Sequence, residues 1–445
     1  SLSGSFSPSE QTNVLASLST QNKRVSAFEA LNAHQLLIKG QYQENALTLG
    51  SLITFNDTDV KGFTEDSGGE LFANPAVAEQ RDSNQSIVGL SAAYQASQDT
   101  KINGQLSWLN REETIVNPGI AEGVFSGIPA SDITSDYERL ELDVFASFAM
   151  DESTSFVAGI NQRQQDGSNR GFLDFGFALP VDYDFSQDIS SLYLEGQHVF
   201  DSFTLEASAR YDAPDDFDNE TSFRLGASYA INKGSRVFAV FNQGYKLPSF
   251  FALAHPLVGN SELQPERSDN FEVGFSTQVS DSIEYGITYF ANKFDDLVDF
   301  DAELFTNVNR NNVDISGLEF DVSAGLSQQV NLLVNMRYLD IDVPAGVTLR
   351  KRPNVAGNVR LEFAYKQSRN SVFVDFRDNY LDSSVATGYV QSGGYASIGA
   401  SSIISLTPQL DLSLNLENIL SKRFQDSVGF IEDQIEARAG ISYRF

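Results

Sequence analysis

Residues 408–420 read PQLDLSLNLENIL, with Leu410, Leu412, Leu414 and Leu416 on one face of an extended chain and Asp411, Ser413, Asn415 and Glu417 on the other. A β-strand turns successive side chains to opposite faces, so this stretch is a strand with one wholly apolar side. What the leucines meet decides the fold: a packed core, or lipid.

Composition narrows the choice. The 445 residues hold no cysteine, one tryptophan, 34 phenylalanines and 16 tyrosines, and 60 acidic against 30 basic side chains leave a net charge of -30. Without cysteine there is neither a disulfide framework nor a thiolate metal site. Acidity of this degree argues against nucleic acid as a partner, because the phosphates are repelled. No run of ~18 apolar residues occurs, so no transmembrane helix is expected. Ser1 is not an initiator and no charged-then-apolar signal segment precedes it, which predicts a processed or excised chain.

The two-residue period of the opening stretch recurs throughout. ERLELDVFASF places Leu140, Leu142, Val144, Ala146 and Phe148 on one face, and NFEVGF and VRLEFAY repeat the pattern with Phe271, Val273 and Phe275 and with Val359, Leu361, Phe363 and Tyr365. Each run is about the ~9 to 11 residues that a tilted strand needs to cross a bilayer. The pattern predicts twenty-two strands, the first five beginning near residues 2, 12, 24, 35 and 45 and the last near 434. Tight turns such as SQDT (97–100), MDES (150–153), NKGS (232–235) and LTPQ (406–409) alternate with the long segments 58–85, 111–135, 164–186, 244–266, 293–312 and 377–393. Two classes of connection in strict alternation are expected of an outer-membrane barrel, with periplasmic turns short and extracellular loops long. With twenty-two strands the long loops follow odd-numbered strands, and both chain ends fall on the periplasmic side. The fold expected is thus all-β: one 22-stranded antiparallel transmembrane β-barrel over residues 1–445.

The chain closes on ARAGISYRF, with Ala437, Ala439, Ile441, Tyr443 and Phe445 on one face. A terminal aromatic strand of this kind is similar to the signal by which outer-membrane barrels are recognised for assembly, a role that falls to Tyr443 and Phe445. The leucines of 410–416 then face lipid, while Asp411, Asn415 and Glu417 face a polar lumen. Trp108 and the aromatics at strand ends read as interfacial girdles.

Between residues 242 and 275 the sequence NQGYKLPSFFALAHPLVGNSELQPERSDNFEVGF resembles the mid-barrel signature of TonB-dependent outer-membrane receptors. The matching positions are Tyr245, Lys246, Pro248 and Ser249, then Gly259, Asn260, Leu263, Pro265 and Glu266. The two prolines lack an amide donor and stop strand pairing, and the Gly-Asn pair supplies a turn. Three further pieces follow in the family's order: NVNRNNVDISGLEFD (307–321), LRKRPNVAGNVRLEF (349–363) and LENILSKRF (416–424). The resemblance covers the chain from about residue 190 onward. It implies active uptake of a scarce nutrient, a cobalamin-like cofactor, a ferric siderophore or haem, captured by extracellular loops and passed to the periplasm by TonB. It also implies an amino-terminal plug and a TonB-engaging box, for which no room exists ahead of the first strand near Leu2. The partners implied are the bilayer with its lipopolysaccharide, the plug, TonB and a small ligand such as a metal chelate, with the receptor a monomer in the bacterial outer membrane. The alternatives are a plugless passive diffusion channel, or use of the same loops by an adhesin or a phage.

Candidate site residues follow from the loops. Some haem receptors of this family place a histidine where His255 stands, and Phe250 and Phe251 could flank a macrocycle; Tyr245 and Asn260 complete the expected ligand-binding set. YDAPDDFDNE (211–220) concentrates Asp212, Asp215, Asp216, Asp218 and Glu220, hard oxygens that suit calcium, against the plainer reading of a solvated acidic loop. An enzyme would need a nucleophile, a base and an orienting group, and only His34, His198 and His255 are available as imidazole bases, so no covalent chemistry is expected.

Overall fold

In a computed structural model the described residues are all of 1–445 except 25–27, 302–303, 311, 345–346, 433 and 445. Among them, twenty-one strands form one antiparallel sheet in which each pairs with its neighbours in the chain, from Leu2–Ser9 to Glu436–Tyr443. No described helix is long and apolar enough to cross a membrane, which leaves open crossing by strands.

The period read from the sequence is the period of the ladder. Leu140, Leu142, Val144 and Phe148 are exposed on the outward face, and Leu414 and Leu416 of the opening stretch are exposed likewise. Their alternates turn inward and pair: Asp411 with Arg444 at 2.5 Å, and Asn415 with Glu417 at 2.9 Å. Trp108 stands on the outward face just past Leu106 and donates its indole N–H to Glu138 at 2.7 Å.

Among the described residues the ladder has twenty-one strands, where twenty-two were expected. Ala30–Glu44 is a single strand, paired along its length with both Thr12–Arg24 and Leu47–Gly62, where the sequence suggested separate starts near 24 and 35. The parity changes with the count. Tight turns now follow odd-numbered strands, so Leu2 begins at the end of the long connections and Tyr443 finishes at the end of the tight turns. The first and last strands therefore run in the same direction, and no ladder joins them among the described residues. Lys23 nevertheless reaches Glu436 at 3.3 Å, so the sheet curls round until its second and last strands meet at the outer rim.

Much of what reads as loop is ladder. Residues 164–186 were expected as a long loop, but Thr154–Asp174 and Ala178–Phe200 stay paired to their tip, with 21 and 23 residues. The strand before them, Ala130–Ala149, has 20. At ~3.3 Å per residue these strands are about 65–75 Å long, far beyond a membrane's thickness.

The remaining outer connections fold into small structures of their own. Two-stranded hairpins form at Leu297–Asp301 with Thr306–Arg310, Tyr380–Ser384 with Gly388–Ser392, and Phe424–Ser427 with Phe430–Glu432. The last two lock against residues 64–73. Arg350 donates to Asp66 at 2.7 Å and to Ser383 at 2.9 Å, and Lys351 donates to Glu65 at 2.6 Å and to Ser427 at 2.7 Å. Val385 and Val428 are buried beneath. Gly429, at φ 84°, lies so close to Gly68 that a methyl group on it would overlap the Gly68 carbonyl.

Candidate ligand site

The strand Ser235–Lys246 ends at Leu247 and Pro248, since proline has no amide with which to continue the ladder. Ser249 then caps a one-turn helix, Phe250–Ala254, its hydroxyl accepting the Ala252 N–H at 3.2 Å, and Pro256 follows the turn. This helix folds across the interior face of the sheet. Phe250 lands on Phe185 (ring centroids 4.0 Å apart) and near Tyr137 (6.2 Å), residues of strands three and five positions away in the ladder. It passes so close to Gly167 that a Cβ there would lie 2.7 Å from its ring. Glycine is what lets the loop enter.

Beneath the helix lies a cavity of about 860 Å³, whose lining includes Tyr245, Phe250 and Phe251 together with Arg163, Gln187 and Asp212. Three of the five expected ligand-binding residues are thus brought together. His255 sits behind Phe251, 4.7 Å between rings, and edge-on to Tyr183 at 6.5 Å. Burial pushes its imidazole below the ordinary histidine range, so the ring is neutral at pH 7. Its Nδ1 receives the N–H groups of Leu257 at 3.3 Å and Val258 at 3.4 Å, which puts the remaining proton on Nε2. In that tautomer neither nitrogen offers a free lone pair to iron. Asn260 is used for structure: its amide donates to the Asn307 carbonyl at 2.9 Å and its oxygen accepts the Glu262 N–H at 3.0 Å, tying the loop to the neighbouring hairpin.

The five acidic residues of 212–220 are not gathered into one group. Asp212 is 2% exposed and faces Arg210, whose Nε donates to both of its oxygens at 2.9 and 3.1 Å, while Ser191 donates to it at 2.5 Å. Glu220 pairs with Arg267 at 2.5 Å, and Asp215 accepts the Asp188 N–H at 3.0 Å. Among the described residues no three acidic, histidine or cysteine side chains are placed to share a cation. Guanidinium groups take the place that clustering in sequence suggested for a metal. The Tyr245 hydroxyl hydrogen-bonds Asp212 beside this pair.

The sequence did not single out the interior wall. Arg139, Glu141 and Asp143, then Asn161, Arg163 and Gln165, then Gln187 and Ser191, occupy adjacent rungs of three neighbouring strands. Alternation marked them as inward and polar, but not as a group. Tyr443 pairs with Leu410 and is exposed at the tight-turn end, whereas Phe445 lies outside the described residues.

The family model described as TonB dependent receptor-like, beta-barrel matches residues 30–419. The vitamin B12 transporter BtuB of Vibrio cholerae serotype O1 is 22% identical over 324 residues, 71% of this chain and 50% of that protein. The chain therefore spans about half the length of the curated relatives it matches. Among solved structures, the siderophore receptor PiuA of Acinetobacter baumannii superposes with a TM-score of 0.82 at 12% identity, covering 99% of this chain and 78% of that one. The FrpB iron transporter of Neisseria meningitidis gives 0.81 at 14% identity, covering 100% and 78%. With the family model covering most of its length, the chain belongs to the TonB-dependent receptors, as their β-barrel.

Proposed function

We propose that this chain is the wall and capture surface of an outer-membrane receptor that takes up a scarce small ligand under TonB control. The observation that carries the reading is the inward-folded helix Phe250–Ala254 above a polar, arginine-bearing cavity, on the interior of a sheet whose outer face is apolar. Lipid covers that outer face, and a plug domain fills a lumen too wide to be closed by side chains alone. The vitamin B12, siderophore and iron transporters among its relatives support a metal chelate or cobalamin-like ligand. As part of a receptor and transporter family, the wall is read as carrying its ligand without covalent chemistry.

The test uses the full-length native protein in a Gram-negative host, supplied with labelled cobalamin and ferric chelates, with and without functional TonB. Accumulation that needs TonB is the expected result. Ungated entry of small solutes, with a large single-channel conductance, would instead make it a passive channel.

A further inference from the structure

We infer that the cavity wall beneath the helix binds its ligand through a single oxyanion, a carboxylate or phosphate carried on an apolar or aromatic body. The inference rests on the receptor reading for its biological meaning but on unpaired atoms for its chemistry. Gln187 is 2% exposed; its Oε1 accepts from Gln165 at 3.1 Å, which leaves its Nε2 donor with no partner. Arg163 and Arg139 share one carboxylate, Glu141, at 3.5 and 3.8 Å, and the Nε of each is buried without a hydrogen-bond acceptor. Asn161, 5% exposed, gives its amide hydrogens to Glu141 and Asp143 and keeps one unpaired oxygen. Arg163, Gln187 and Asn161 line the cavity, which puts two shielded donors and one shielded acceptor in its wall.

The next arginine shows the contrast. Arg210 spends its Nε on both oxygens of Asp212 and an Nη on Ser191 at 2.8 Å, as a structural guanidinium does. Arg163 is held in place through one Nη, and its Nε is left unspent. Buried donors without acceptors are unfavourable until something supplies oxygen, and a guanidinium is the side chain that best matches a carboxylate or phosphate. Arg163 and Gln187 are diagonal neighbours across one strand pair, within reach of a single group. Tyr137 and Phe250 line the same cavity and supply the apolar contact. Glu141, Asp143 and Asp212 stand in the same wall and would repel a second negative group.

The test compares two small water-soluble probes that differ only in the oxyanion, indole-3-acetate and indole-3-acetamide, by calorimetry on the purified full-length receptor. The acetate is expected to bind about tenfold more tightly, a gap that narrows in high salt. Arg163→Gln should bring the two probes to within about twofold and leave the amide unchanged, and Arg163→Lys should keep part of the gap. Equal binding of both probes, no binding of either, or a gap that survives Arg163→Gln overturns the inference. A preference for the acetate in a protein that shows no TonB-dependent uptake would leave the site standing and remove the transport reading instead.

Discussion

At the scale of single residues, Asp212 carries the clearest energetic statement. Its buried carboxylate is neutralised by Arg210 and hydrogen-bonded by Ser191, so Arg210→Met strands a charge. The expected cost is roughly 2 kcal/mol, below the 3–5 kcal/mol of a fully buried pair because the arginine keeps solvent contact. Urea titration in lipid vesicles measures it, and Arg210→Met with Asp212→Leu should recover most of the loss. His255 sets a pH dependence. Its folded pKa lies below the unfolded value, so its contribution is complete above the unfolded pKa near 6.5 and is lost as pH falls through the depressed one. The protection of the amides in residues 250–260, measured against their intrinsic exchange rate at each pH, should therefore weaken as pH falls below about 6.5, and His255→Gln should flatten that dependence.

At the scale of elements, the outer connections behave as two different kinds of object. The hairpin of Thr154–Asp174 and Ala178–Phe200 is ladder throughout, closed near its tip by Arg170 against Asp184 at 2.7 Å, and exposes Phe175 and Phe177 at the end. Replacing residues 171–181 with a two-residue Asn-Gly turn should leave assembly intact, because the rungs below it supply their own hydrogen bonds. The heat-modifiable gel mobility of the folded barrel should be unchanged. The cap formed by residues 64–73 and the hairpins at 380–392 and 424–432 depends instead on contacts between segments distant in sequence. Gly429→Ala should disorder it, since both the left-handed φ and the approach to Gly68 exclude a side chain. Protease would then cut at 418–435 while the ladder stays resistant.

At the scale of the whole molecule, the two faces of one sheet set the fold's medium. Leu142 is exposed in the middle of the outward apolar run, and Ser147 of the same strand points the other way. In lipid vesicles Leu142→Arg should cost roughly 2–4 kcal/mol, and Ser147→Arg close to nothing. Equal effects would mean that the outward face does not meet lipid. The seam where Lys23 meets Glu436 is the weakest part of the wall, because the edge strands run in the same direction and share no ladder among the described residues.

The all-β class, the apolar and polar faces, the alternation of turns and long connections, and the family are legible along the chain before any fold is known. These are local properties: a side chain's face follows from its position along one strand, and a proline or Gly-Asn pair ends a ladder wherever it stands. The sequence misjudged the strand count, since the pattern is broken between residues 24 and 35 and only pairing shows one strand from Ala30 to Glu44. The tertiary structure decided the site. The five acidic residues of 212–220 are neighbours in sequence, yet register hands Asp212 to Arg210 and Glu220 to Arg267. Tyr245, Phe250 and Phe251 line the cavity, while Arg163 and Gln187 join them from strands that only register and an inward-folded loop bring beneath the helix. Which groups remain unpaired is a property of that meeting, because each hydrogen bond there is made across strands rather than along one.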